Sequence, residues 1–253
     1  MTHPVVDPIS VEPAVAIDRP VMLQEWKTLT YLHWAYDPAV VQALLPPGLQ
    51  IDTLDGTAWV GLIPFAMERI RLRRGPAVPH FGTFPEVNVR TYVVDANGRR
   101  NIWFFSLDIN RLAPTIVART RYGLPYCWGR GSVGRTGDRV DARIRRFWPR
   151  GGGRIEARID VGTTIEPVAV TELDHFLSAR WGMNTWRSGS LWYGQVEHPR
   201  WPLRRATVGH LEQDLVARAG LPDPEGPPHV RFSEGVTVRI GSLVRADRPG
   251  DHR

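Results

Sequence analysis

The chain has 253 residues, a formal net charge of +6 and 42% hydrophobic residues, which suits one large domain and argues against intrinsic disorder. Of its 32 basic residues 31 are arginine, scattered among acids with no basic run, which argues against a nucleic-acid partner. Its 24 glycines and 22 prolines exclude long helical bundles, no apolar run is long enough for a membrane helix, and the single Cys127 excludes an internal disulfide or a cysteine-rich zinc site.

Met1 to Pro20 carries Pro4, Pro8, Pro13 and Pro20 and lacks the basic start and apolar centre of a secretory signal. It is expected to be a disordered arm, residues 1–20, of a cytoplasmic protein. Trp26 to Trp34 is rich in aromatic and β-branched residues and predicts a strand with Lys27, Leu29, Tyr31 and His33 on one face. Asp37-Pro38 opens a short helix through Leu45, stopped by Pro46-Pro47-Gly48. Val87, Val89, Thr91 and Val93 alternate with Glu86, Asn88, Arg90 and Tyr92, and after a turn at Asp95 to Gly98 the stretch Ile102 to Leu107 returns as a hairpin partner.

Asn110 is positioned to cap a helix that runs to about Tyr122 and ends at Gly123. Arg139 to Arg145 and Arg154 to Asp160 form a second hairpin around Gly151-Gly152-Gly153, with one apolar face and one face of mixed charge that reads as solvated. Thr171 and Asp174 resemble a capping box before Phe176 and Leu177. Leu211, Leu215 and Val216 mark a fourth helix ending at Gly220, and the chain closes in a tail, residues 245–253. Strands dominate and connections are hairpin-like, so residues 21–244 are expected to form a single mainly antiparallel β domain, a barrel or sandwich with short peripheral helices.

Four hydrogen-bonding side chains, Glu86, Asn88, Arg90 and Tyr92, share one strand face. Pointing inward they build a polar pocket wall; pointing outward they are ordinary surface. The flanking Phe81, Phe84, Trp103, Phe104 and Phe105 favour a strand covered on both faces, where Glu86 needs a partner such as Arg90 or Lys27. Lys27, the only lysine, reads equally as a surface charge or a buried amine. Cys127 lacks a Cys-His signature and reads as a buried thiol. No histidine pair has metal-ligand spacing, and no G-x-S-x-G, G-x-G-x-x-G or phosphate-loop motif is present, so no metal and no cofactor are expected.

Several ordered strings resemble a known family: Trp26-Lys27 with His33-Trp34, Asp52 with Asp55-Gly56 and Trp59-Val60, Phe84 to Val93, Phe104 to Asp108, Ala118-Arg119 with Leu124-Pro125-Tyr126, and Glu197-His198-Pro199 with Trp201. They are similar, over about Val21 to Val244, to the YqjF-like bacterial family of unknown function, a branch of the acetoacetate-decarboxylase-like superfamily. That resemblance implies a cone-shaped antiparallel β-barrel with a central pocket. It matches Glu86 to an active-site glutamate, puts Lys27 where the decarboxylases carry an arginine, and makes Arg119 to Cys127 similar to their R-E-x-x-G-x-P-K-K signature. The chain departs from that signature at Tyr126 and Cys127, which replace both lysines, and at Thr120, which replaces the acid. A phenol cannot form an imine, so decarboxylation through a Schiff base is not expected.

These residues imply a barrel pocket for a small organic acid or other carbonyl compound. In an enzyme, Glu86 acts as acid or base, Tyr126 donates to an oxyanion, and Lys27 or Arg119 holds a carboxylate, with Tyr122, Asn88, Arg90 and His33 lining the pocket. Lyase- or isomerase-type chemistry beside a carbonyl fits these groups. The alternatives are a non-catalytic binding or sensing protein, and an interior ion network of Glu86, Arg90 and Arg119 with a purely structural role.

Overall fold

In the computed structural model, residues 5–73, 75, 82–149 and 152–246 are described. Strands β1 (Met22–Tyr36), β2 (Leu49–Ile51), β3 (Thr53–Leu54), β4 (Thr57–Leu72), β5 (Phe84–Asp95) and β6 (Arg100–Ile109) come first, with helix α1 (Pro38–Gln42) between β1 and β2. Helix α2 (Leu112–Val117) follows and runs directly into a π-helical turn, Ala118–Tyr122. Then come β7 (Tyr126–Thr136), β8 (Arg139–Trp148), β9 (Arg154–Thr164), α3 (Glu172–Ser178), β10 (Gly182–Arg187) and β11 (Ser190–Glu197). Strand β12 (Leu203–Gln213), α4 (Leu215–Arg218) and β13 (His229–Arg245) complete the fold.

The pairings β1–β4, β4–β5, β5–β6, β6–β10, β10–β11, β11–β13 and β13–β1 close a ring of strands. A second path from β6 through β7, β8, β9 and β12 back to β13 folds over one side of it. The result is an uneven barrel, mainly β with short helices outside.

Strand β5 is covered on both faces, and alternation explains what each face meets. Val87 and Val89 pack with Leu32, Val60 and Leu62 against Val140, Ala142, Ile144, Ile155 and Ile159 of the β8–β9 hairpin. The other face, carrying Glu86, Asn88, Arg90 and Tyr92, looks into the ring toward Tyr31, Ile63 and Phe65. On the outer face of β8–β9 the mixed charges pair, Arg143 with Glu156 across the strands at 2.8 Å and Arg139 with Asp141 along β8 at 3.0 Å.

Several expected boundaries move. Asp37 caps α1, accepting from Ala39 N at 2.8 Å, but the helix ends at Gln42. Asn110 caps nothing; its amide donates to Gly131 O at 3.2 Å, and the helix begins after Arg111. Leu211 lies in β12, because β12 pairs with β9 as far as Gln213 and leaves only Leu215–Arg218 helical. The capping box at Thr171 and Asp174 forms.

The arm also differs from expectation. Its described part, residues 5–20, has no regular secondary structure but is laid along the barrel. Trp181 Nε1 donates to Ser10 O at 2.9 Å, Gln195 Nε2 to Val15 O at 2.5 Å, and Ile17 N to Glu197 Oε2 at 2.5 Å. Ile17 is buried, so the segment has both apolar and hydrogen-bonded anchors that its proline content does not announce. At the other end β13 runs one residue past the expected boundary, to Arg245, and residues 247–253 lie outside the described part.

Candidate functional site

Along β5 the inward positions place Glu86, Asn88, Arg90 and Tyr92 in a row, all at most 4% exposed. The Glu86 carboxylate accepts a hydrogen bond from the Tyr126 hydroxyl at 3.1 Å and another from Asn88. Burial pushes the Glu86 carboxyl up to about 8, against the pull of those two hydrogen bonds, so it is neutral at pH 7. Burial, and then the neighbouring carboxylate, also holds the Tyr126 phenol well above its ordinary value.

Arg90 answers to different partners. Its Nε and Nη2 donate to Tyr92 Oη at 3.2 and 3.1 Å, and Nη2 donates to Leu177 O at the end of α3 at 3.0 Å. Tyr92 Oη itself donates to Leu177 O at 2.7 Å and meets His33 Nε2 at 2.6 Å. Burial, then the Arg90 charge, holds His33 well below its usual value, so the ring is neutral. Among the described residues no carboxylate lies within 4.0 Å of the Arg90 guanidinium, which is therefore a buried cation without a counter-ion. Among the described residues, Tyr31 Oη, Asn88 Oδ1 and His33 Nδ1 of this interior have no hydrogen-bond partner.

The interior ion network does not form: Glu86, Arg90 and Arg119 make no ion pair with one another among the described residues. Arg119 turns outward, donating to Tyr126 O at 2.8 Å and lying 5.0 Å from the Trp148 ring centroid. Tyr122 offers its carbonyl to Thr185 Oγ1 at 3.2 Å and is half-buried in the π-helical turn. Cys127 is buried, its thiol pushed up to about 11 by burial, which leaves it unreactive. Among the described residues no group of three or more His, Cys, Asp or Glu is placed to hold a metal ion.

Lys27 is a correction. It does not face Glu86: it pairs in register with Ala66, which in turn pairs with Pro85, on the face opposite Trp26, Met67 and Phe84. Trp26 packs inward on Phe65, and Lys27 Nζ lies 4.0 Å from Glu25 with the side chain 41% exposed. The cause is Thr28, whose φ of 54° makes a bulge that shifts the β1–β4 register between Lys27 and Leu32. Leu29, Tyr31 and His33 keep the inner face, and Lys27 loses it. Lys27→Met is accordingly expected to change stability by less than about 0.5 kcal/mol in thermal unfolding.

Among the described residues, two of the clefts that open on the surface are prominent, and neither is lined by Glu86 or Arg90. One of about 810 Å³ lies among charged side chains, including Arg145, Arg154, Glu212 and Asp214. The other, about 280 Å³, is aromatic and includes Trp103, Phe104, Phe105 and Trp186.

Comparison with solved structures identifies the architecture. The fold is similar to an acetoacetate decarboxylase-like enzyme from Sphingomonas wittichii RW1, with a TM-score of 0.61 at 14% identity, covering 91% of this chain and 93% of that one. It is also similar to the enduracididine biosynthesis enzyme MppR complexed with pyruvate, with a TM-score of 0.62 at 14% identity, covering 92% and 93%. The chain therefore has the acetoacetate-decarboxylase-like fold. By sequence it belongs to a family of uncharacterized conserved proteins, DUF2071, which it matches over residues 23–237. It is 28% identical over 229 residues to the uncharacterized protein YqjF of Bacillus subtilis (strain 168), covering 88% of this chain and 91% of that protein.

Proposed function

We propose that the barrel interior binds a small organic acid or other carbonyl compound, with Arg90 as the anion anchor and Glu86 as the proton-transferring group. The observation that carries this reading is the Arg90 guanidinium, buried at 4% exposure beside neutral acceptors and a neutral Glu86. A buried cation without a counter-ion favours an anionic guest, and a carboxylate accepts two parallel bonds from a guanidinium. A structural relative of the same fold is complexed with pyruvate, a small keto acid, which is the chemistry expected here.

With a proton that comes off near pH 8, Glu86 can donate to a carbonyl oxygen when protonated and accept from the adjacent carbon when not. Tyr126, bonded to it at 3.1 Å, can pass a hydrogen bond to the developing oxyanion. Enolisation and dehydration fit these groups; an imine does not, since Tyr126 and Cys127 stand at the lysine positions of the decarboxylase signature and Lys27 faces outward. In this reading the protein works in the cytoplasm, without metal or cofactor.

The test is titration calorimetry with pyruvate and with acetoacetate, on the wild type and on Arg90→Met. Saturable binding weakened about tenfold or more by Arg90→Met supports the anchor. Absence of saturable binding overturns the reading. Deuterium exchange at the carbon beside the carbonyl of bound pyruvate, in D2O, then separates catalysis from carriage. Exchange lost in Glu86→Gln marks an enzyme; binding without exchange marks a carrier or sensor.

A further inference from the structure

Strand β6 changes partner along one edge. Ile102 and Trp103 pair with β10, Leu107 to Ile109 pair with β7, both in parallel, and Phe104, Phe105 and Ser106 between them pair with neither. On the opposite edge β5 pairs Val89 with Ser106 and Arg90 with Phe104, so Phe105 is the extra residue of a bulge. The wall of the barrel is therefore split where β10 and β7 diverge, beside the Arg90 position.

The 280 Å³ cleft opens at this split. One end is stitched shut. Thr185 Oγ1 donates to Gly123 O at 2.8 Å, and Gly123, at φ 68°, approaches β10 so closely that a Cβ there would stand 2.7 Å from Trp186 O. Trp103, Phe104, Phe105, Pro125, Trp186 and Leu44 supply the apolar lining, and none of the lining residues is ionisable. Its amide and hydroxyl side chains are already committed: Asn184 accepts from Asn101 at 2.9 Å and donates to Trp192 O at 3.3 Å, and the Thr185 hydroxyl is spent on the stitch. Phe104 connects cleft and interior. It lines the cleft and belongs to the buried cluster of Tyr92 and Leu107, against which Tyr126 packs.

We propose that this cleft is a tail subsite of the interior site, taking the aryl end of an organic acid whose carboxylate reaches Arg90 past Phe104. The proposal rests on the acid-binding reading above and adds the class of tail. With Asn184 and Thr185 committed and no ionisable side chain in the lining, a charged tail finds no counter-ion in the cleft, whereas a ring finds flat aromatic walls. The volume lies near the lower end of small-ligand pockets, about 300–1,000 Å³, which suits one ring. The charged cleft among Arg145 and Arg154 offers no such walls and does not adjoin β5.

The experiment compares pyruvate with phenylpyruvate by titration calorimetry on the wild-type chain and on Trp186→Ala. Trp186 is 39% exposed, so its truncation leaves the barrel folded, which circular dichroism checks. Phenylpyruvate is expected to bind about tenfold or more tighter than pyruvate, and Trp186→Ala to remove most of that advantage without changing the pyruvate affinity. Equal affinity of the two acids, or an advantage untouched by Trp186→Ala, overturns the tail subsite while leaving the acid site standing. If neither acid binds, the acid site itself fails and the subsite with it.

Discussion

Glu86→Gln is expected to flatten the pH dependence of folding stability between about pH 4.5 and pH 8. In the unfolded chain the Glu86 carboxyl titrates near its ordinary 4.5; in the folded protein burial moves it to about 8. Between those values the folded protein holds a proton that the unfolded chain has released, so stability falls as pH rises. The wild type is thus most stable with respect to this group below pH 4.5, and its loss is complete above pH 8. The slope is about 1.4 kcal/mol per pH unit at most, a few kcal/mol across the window. Glutamine has the shape of the neutral acid and no proton to lose. Urea midpoints at pH 5 and pH 8.5 for both proteins measure the effect. The variant should gain on the wild type as pH rises; parallel curves mean that Glu86 is ionised in the folded state.

Asp52→Asn should cost about 3–5 kcal/mol, because it strands a cation that water cannot reach. Asp52 is itself buried and accepts from Arg180 Nη1 at 2.5 Å and from Arg100 Nη1 at 2.5 Å. The Arg180 side chain is 1% exposed, with Cζ 4.5 Å from the Tyr92 ring centroid and 4.3 Å from that of Phe176. Its other anchor is Phe176 O, at 2.8 Å, and Nη2 has no partner. Without the Asp52 charge two positive groups face each other across a neutral amide. Because Arg180 packs between Tyr92 and Phe176, the damage should extend to the interior site. Chemical denaturation of Asp52→Asn, compared with an exposed control such as Lys27→Met, tests this; a loss under about 1 kcal/mol shows that Arg180 finds another partner.

Much of this was legible in the sequence, through period-two alternation. Strand β5 was readable because the same four residues, Glu86, Asn88, Arg90 and Tyr92, are separated by Val87, Val89 and Thr91. The β8–β9 hairpin was readable for the same reason, and α3 because Thr171 and Asp174 satisfy each other's backbone. The misses share a cause: single-residue events that alternation does not register. A positive φ at Thr28 sends Lys27 to the outer face. Leu211 follows a helical spacing with Leu215, yet its pairing with Ala157 of β9 makes it a strand residue. Asn110 has the chemistry of a cap but finds Gly131 O across space. The partners of Arg90 were also hidden, because Leu177 O is a backbone atom on an element 87 residues away. Tyr31, whose unpartnered hydroxyl belongs to the site, was visible only as one of four alternating positions.

The way the ring closes has a consequence for how the chain becomes a protein. Strand β1 takes its neighbours from β4 and from β13, the last strand in chain order, and β11 also pairs with β13. Met22 thus waits for Ile240, and Ile17 for Glu197, before either is in its final place. Contacts of such sequence separation are formed late and at high loop-closure cost. One edge of β1 is therefore expected to stay open until β13 is available to pair with it. The interior of Glu86 and Arg90 is then among the last parts expected to be shut off from water, and the open edge of β1 is where pairing with another chain is expected in the meantime.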